Sequence, residues 1–136
     1  MSWQYPNSRK FWVTVLIFYM VFILGASLKP VTGTEESSWI GELLHNLCHV
    51  PAYSVLVFWI VGLLKAWDVK SGIFVKAVIF AALYGILLEF LQGFVPGRTL
   101  SVGDMLLNTA GALIMVSLIQ RGFMRRFLDK IGKQAG

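Results

Sequence analysis

The sequence predicts an all-α membrane protein with four transmembrane helices and with both termini in the cytoplasm. Of its 136 residues, 57 % are hydrophobic and only 14 % are charged, whereas a soluble domain carries about 25 % charged residues. The hydrophobic residues form four blocks, each close to the roughly 20 residues that a helix needs to cross a bilayer. This composition excludes a disordered chain and a disulfide-rich module, and it argues against an ordinary soluble enzyme.

The apolar blocks follow one another with short polar connections. They span residues 11–28, 43–64, 77–95 and 99–120. The first block follows Arg9 and Lys10 and lacks a small-residue cleavage site, so we expect an uncleaved signal anchor. Pro51 interrupts the second block and predicts either a kink or a helix that starts there. Pro96-Gly97 predicts a tight turn that folds the last two helices into a hairpin.

The basic residues set the predicted orientation, because cytoplasmic loops retain Lys and Arg. Ten of the 12 Lys and Arg residues lie at the N-terminus, in the second loop or in the tail 121–136. Only Lys29 and Arg98 lie in the loops predicted on the other side of the membrane. The tail also carries Phe123, Phe127, Leu128 and Ile131 at near-helical spacing. An amphipathic helix on the inner leaflet and a plain positively charged tail both fit this pattern.

Polar residues inside the blocks are the candidate functional residues, because burying them in a membrane costs several kcal/mol. Residues three or four apart share one face of a helix. Three such sets occur at a similar depth in the predicted outer third of the membrane, near Arg98 in the third loop: His45, His49 and Tyr53; Glu89 and Gln92; Asp104 and Asn108.

These residue types suit several chemistries. A His with a carboxylate partner could act as a general base, and a charged Arg98 with neutral amides could hold a phosphate or a carboxylate. Ser101 is the nearest hydroxyl, but no nucleophile motif surrounds it. A His with two carboxylates could also bind a divalent metal, but the spacings match no metal motif and Arg98 would compete for the carboxylates, so no metal site and no cofactor are predicted. A purely structural cluster, with amides bonding between helices and acids paired to Arg98, stays open.

The stretch from Glu89 to Gly111 resembles the signature of the VanZ-like family of small bacterial membrane proteins. In that family an acid and a Gln precede a Pro-Gly-Arg turn, and Ser, Asp, Asn and Gly follow at this spacing. Here those positions are Glu89, Gln92, Pro96, Gly97, Arg98, Ser101, Asp104, Asn108 and Gly111. An earlier His and Tyr four residues apart resemble His49 and Tyr53. The chain departs from the family at Asn46, where many members carry Lys, and at Pro51.

The resemblance implies a multi-pass protein of the bacterial cytoplasmic (inner) membrane with a role in the cell envelope. Since the family's name-giver is associated with lowered susceptibility to teicoplanin, the resemblance also implies a link to antibiotic resistance. We therefore expect one domain, 1–136, with an outer-leaflet pocket for an anionic or lipid-linked amphiphile. The expected partner is a membrane lipid or a lipid-linked precursor, no nucleic acid is expected, and a homo-oligomer stays open.

Each candidate residue has an expected role. The ligand-binding residues are Arg98, Gln92, Asn108, Tyr53 and Ser101, and the candidate catalytic residues are His49, Glu89 and Asp104. A binding protein is favoured over an enzyme. The alternatives are an intramembrane enzyme that acts on a lipid-linked substrate, and a polar cluster that only holds the helix bundle together.

Overall fold

The computed structural model describes residues 6–29, 39–96 and 100–134, and the surroundings of side chains in 9–29, 47–96 and 100–132. All regular structure in these ranges is helical. The helices are α1 (Pro6–Ser27), α2 (Trp39–Ala66), α3 (Ile73–Gln92), α4 (Val102–Gln120) and α5 (Arg125–Gln134). Helices α1 to α4 are long and apolar enough to cross a membrane. The predicted all-α fold with four membrane-spanning helices is therefore confirmed.

The helix ends differ from the ends of the apolar blocks. Helix α3 begins at Ile73, whereas its apolar block begins at 77, and it ends at Gln92, whereas the block ends at 95. The extent of the apolar side chains does not determine where the helical backbone begins and ends. Helix α2 runs through Pro51 from Trp39, so the predicted start at Pro51 is wrong. A proline inside a helix removes one backbone hydrogen bond, and the packing of α2 against its neighbours compensates for this loss.

Helix α2 is the central element of the bundle and contacts α1, α3, α4 and α5. Its side chains at Leu56, Val57 and Val61 are fully buried. On α3, three small residues spaced four apart, Ala77, Ala81 and Gly85, are all buried, and small residues let helices approach closely. The stripe of small residues therefore faces the bundle and leads directly to Glu89.

Polar bonds to backbone carbonyls connect the helices. The Tyr19 hydroxyl donates to the carbonyl of Ala52 at 3.0 Å, and the Tyr84 hydroxyl donates to that of Met20 at 2.6 Å. Such interhelical bonds matter in a membrane, where apolar burial supplies little driving force between helices. Two of them tie α1, which carries no site residue predicted from the sequence, to α2 and α3.

The C-terminal tail contains a helix, as the spacing of its apolar residues suggested. Leu128 of α5 is 1 % exposed, the rings of Phe58 and Phe127 lie 5.9 Å apart, and Lys65 pairs with Asp129 at 3.7 Å. Phe123 stays exposed near Arg125 and Arg126. Helix α5 is therefore packed against α2, with Arg125 and Arg126 exposed.

The outer faces of the long helices are apolar. Large hydrophobic side chains such as Phe18, Leu83 and Leu106 are more than 60 % exposed. A soluble monomer rarely exposes a continuous apolar surface of this kind. The exposed faces therefore fit a bilayer, with the polar groups gathered inside the bundle.

Gly62 permits the packing of α1 on α2 and provides a stability test. A Cβ at this position would overlap the buried ring of Trp12, so we expect Gly62→Ala to destabilise the protein by about 1–3 kcal/mol, typical of overpacking. The matched control is Gly25→Ala, because a Cβ there meets nothing within 4 Å. Unfolding free energies in detergent micelles check this prediction, and equal stability of the two variants would contradict it.

Candidate functional site

Three ionisable residues from three helices meet inside the bundle. One donor atom from each of His49 (α2), Glu89 (α3) and Asp104 (α4) lies within 4.8 Å of the others. Glu89 is 1 % exposed and Asp104 is 8 % exposed, while His49 is half-buried. We call these three residues the His–Glu–Asp cluster. The predicted catalytic candidates therefore lie together.

The first turn of α4 lies next to both acids of this cluster. Ser101 is the N-cap of α4, and its hydroxyl oxygen accepts a bond from the backbone N–H of Asp104 at 3.2 Å. The Ser101 N–H donates to Glu89 Oε2, also at 3.2 Å. The N-terminus of a helix carries a partial positive charge that favours nearby anions. Ser101 thus fixes the start of the helix that carries Asp104 and bonds the Glu89 carboxylate directly.

Asn108 orients the imidazole of His49. His49 Nδ1 lies 2.8 Å from Asn108 Oδ1. An amide oxygen only accepts hydrogen bonds, so with this amide orientation Nδ1 carries a proton, and in the neutral imidazole Nε2 carries the lone pair. Asn108 is 1 % exposed, and its Nδ2 has no hydrogen-bond partner among the described residues. A buried donor of this kind is one that a ligand oxygen could satisfy.

Tyr53 and Gly85 form the wall of the site next to Asn108. Tyr53 is buried. A Cβ added at Gly85 would lie 3.0 Å from Asn108 Nδ2 and 3.2 Å from the Tyr53 hydroxyl. A larger residue at position 85 would therefore displace both side chains, and the small-residue stripe of α3 serves the site as well as helix packing.

Helices α2 and α4 approach most closely just below the cluster, at residues that the sequence reasoning missed. The Ser54 hydroxyl donates to the carbonyl of Gly111 at 2.7 Å. A Cβ at Gly111 would overlap the carbonyl oxygen of Val50. Ser54 stands out only as a hydroxyl in an apolar run, and Gly111 only as part of the family motif, so sequence spacing gave no signal for this contact.

A partly open groove of about 370 Å³ runs between α1 and α2 and ends at the polar residues. We call it the α1–α2 groove. Its walls include Phe22, Ile23 and Ala52, and its polar end includes His49 and Gln92. This volume lies within the range of about 300–1,000 Å³ that is usual for small-molecule sites. The contribution of α1 was not predicted, because its groove-lining residues are mostly apolar.

Some predicted residues lie outside the described part of the chain. Arg98, the expected anion-binding residue, falls in the undescribed segment 97–99, and the same holds for Gly97 of the predicted turn. His45 and Asn46 belong to α2, but their side chains are outside the described ranges. The roles predicted for these four residues stay predictions.

The two buried carboxylates of the His–Glu–Asp cluster restrict its chemistry. Two carboxylates close together in a low-dielectric interior repel one another, and a cation or a proton beside them compensates for this repulsion. A protonated His49, a shared proton or a bound ion would each supply that compensation. The cluster is therefore suited to proton transfer or to cation binding, and the metal-free site predicted from the spacings is untested.

Comparison with known proteins agrees with the sequence motifs. The family model described as VanZ/LLP1 matches residues 3–125, a range that contains α1 to α4 and every candidate site residue. Neither a curated protein nor a solved structure matches the chain at a significant level.

Proposed function

The chain belongs to the VanZ/LLP1 family, and from this premise we propose that it binds an anionic or lipid-linked amphiphile in the cytoplasmic membrane of a bacterium. The observation that carries the proposal is the α1–α2 groove. Its walls are apolar, and it ends at His49, Tyr53 and Gln92. A hydrocarbon chain would lie between the helices, while the polar head would meet the buried polar groups.

The head group would be bound by residues of three helices. Gln92 offers a buried amide at the end of the groove, and Asn108 offers the unsatisfied Nδ2. Arg98 is the residue that we expect to hold the negative charge, because a guanidinium binds phosphate or carboxylate through paired hydrogen bonds. The distribution of basic residues in the sequence supports an opening toward the outer leaflet.

A role in the envelope follows from the same proposal. The outer leaflet exposes lipids and lipid-linked cell-wall precursors, and the resemblance to VanZ-like proteins links such a site to teicoplanin susceptibility. We expect a strain without this protein to change its teicoplanin susceptibility, and a site variant to behave like the deletion.

Native mass spectrometry of mildly solubilised protein tests the binding directly. We expect wild type to retain a lipid or precursor, and Ala52→Trp to lose it at least tenfold, because the indole would fill the groove that Ala52 lines. The matched control is Leu83→Trp, which adds the same ring on the exposed face of α3. A second variant, Arg98→Ala, tests the predicted anion contact.

The results separate binding from nonspecific lipid adhesion. Equal retention by wild type and Ala52→Trp would show that the lipid adheres elsewhere and would refute the groove as the binding site. If Arg98→Ala left both retention and teicoplanin susceptibility unchanged, the anionic head group would be refuted.

An intramembrane enzyme is the second candidate, favoured by the short distances in the His–Glu–Asp cluster. His49 Nε2 would act as general base, and Glu89 or Asp104 would act as the acid partner of the imidazole. Incubation of purified protein with a bacterial lipid extract, followed by mass spectrometry, would reveal turnover. The enzyme hypothesis expects product formation that disappears in His49→Gln while the unfolding temperature is retained.

A further inference from the structure

We propose that the His–Glu–Asp cluster binds one divalent transition-metal ion of the Mn²⁺ or Zn²⁺ class. The ligands would be one imidazole nitrogen of His49 and one carboxylate oxygen each from Glu89 and Asp104. These donor atoms already lie within 4.8 Å of one another. Ligands about 2.0–2.2 Å from a tetrahedral Zn²⁺ lie roughly 3.4 Å apart, so small side-chain rotations would complete the site.

The donor set itself points to this class of ion. Imidazole suits zinc and other late transition metals, whereas carboxylate oxygens also suit manganese. Three protein ligands with an open position are typical of catalytic and substrate-binding metal sites rather than of structural ones. His49 lines the α1–α2 groove, so the open position would be reached from the groove.

The surroundings of His49 match those of a metal-binding histidine. A metal-ligating imidazole almost always donates its second ring N–H to an oxygen, which fixes the tautomer. Asn108 Oδ1 is such an acceptor, at 2.8 Å from Nδ1, and while this bond is kept the ion would bind at Nε2. The unpartnered Nδ2 of the same buried amide is a further donor beside the cluster.

The charge of a divalent ion also suits its proposed ligands. Glu89 and Asp104 are nearly fully buried, and a divalent cation bound between them would stabilise both carboxylates inside the membrane. The ion would also explain how an anionic head group can approach two carboxylates, since it would lie between them and bind head-group oxygens. This last step rests on the proposed function, whereas the binding of the ion does not.

Metal analysis of the full-length protein tests the proposal. Detergent-solubilised protein is stripped with EDTA, given Zn²⁺ or Mn²⁺ alone, desalted and analysed for bound metal. We expect about one ion per wild-type chain, and at least a tenfold loss in Asp104→Asn and His49→Gln. Asp129→Asn, which changes a carboxylate on α5 outside the cluster, should retain the ion.

Spectroscopy tests whether His49 coordinates the ion, and lipid retention separates a failure of the metal site from a failure of the groove. Electron spin-echo measurements on the Mn²⁺ form with ¹⁵N-labelled histidine should show one coordinated nitrogen, which His49→Gln removes. No stoichiometric ion in wild type, or equal metal content in Asp104→Asn and Asp129→Asn, would overturn the metal site. If the metal site is overturned, lipid retention by the metal-free protein in the same experiment would still support the α1–α2 groove as a binding site.

Discussion

Gly111→Ala is expected to destabilise the protein by about 3 kcal/mol or more and to disassemble the candidate site. The new Cβ would overlap the carbonyl oxygen of Val50 and lie 3.0 Å from its carbonyl carbon and Cα. Overpacking typically costs about 1–3 kcal/mol when side chains can adjust. Here the obstacle is backbone, so α2 and α4 must separate, and the Ser54 bond to the Gly111 carbonyl is lost with them.

The separation of α2 and α4 would also displace polar residues of the candidate site. His49 on α2 and Asn108 on α4 lie next to this contact and bond to each other at 2.8 Å, so a shift of α4 would break the bond that orients the imidazole. The loss of ligand binding should therefore accompany the loss of stability in Gly111→Ala.

The matched control for this prediction is Gly103→Ala, in the first turn of the same helix. A Cβ there would meet only the Ser101 hydroxyl, at an ordinary distance of 3.5 Å. Denaturant unfolding in micelles, combined with native mass spectrometry, measures both effects. A Gly111→Ala variant as stable as Gly103→Ala would show that α2 and α4 do not pack as closely as in this structure.

The sequence predicts the membrane-spanning helices and the convergence of the polar residues for clear physical reasons. Apolar length identifies spans, and residues three or four apart share a helix face, so counting from the ends of the spans places His49, Glu89 and Asp104 at one depth. The four membrane-spanning helices are confirmed, whereas the side of the membrane that the site faces stays a prediction.

Other features depend on contacts between helices, and no pattern in the amino-acid sequence reveals these contacts. The approach of Gly111 to Val50 involves two helices that are distant in sequence. A glycine in the sequence does not reveal which residue of another helix packs against it. The α1–α2 groove is lined in part by apolar residues of α1. The sequence does not distinguish apolar residues that face lipid from apolar residues that line a cavity. The expectation of no metal rested on the absence of a metal motif and on competition from Arg98, and it stays a prediction, although donor atoms from three helices meet in the cluster.

Glu89→Gln is the variant that best separates a functional cluster from a structural one. The amide keeps the shape of the side chain and can still accept the Ser101 N–H bond seen at 3.2 Å. Its loss of charge weakens the interaction with the N-terminus of α4 by about 0.3–1 kcal/mol, but it also removes the repulsion with Asp104. We therefore expect the unfolding free energy of the metal-free, delipidated protein to change by less than about 1 kcal/mol.

Function should respond far more strongly than stability to the same change. Glu89 is one of the three proposed ligands of the metal ion, and a neutral amide lacks the negative charge of the carboxylate that binds the ion. We expect Glu89→Gln to lose the bound ion by at least tenfold while Asp129→Asn, outside the cluster, retains it. If the polar residues only hold the bundle together, stability and retention of the ion would instead fall together, and unfolding of Glu89→Gln in parallel with loss of the ion would favour that structural alternative.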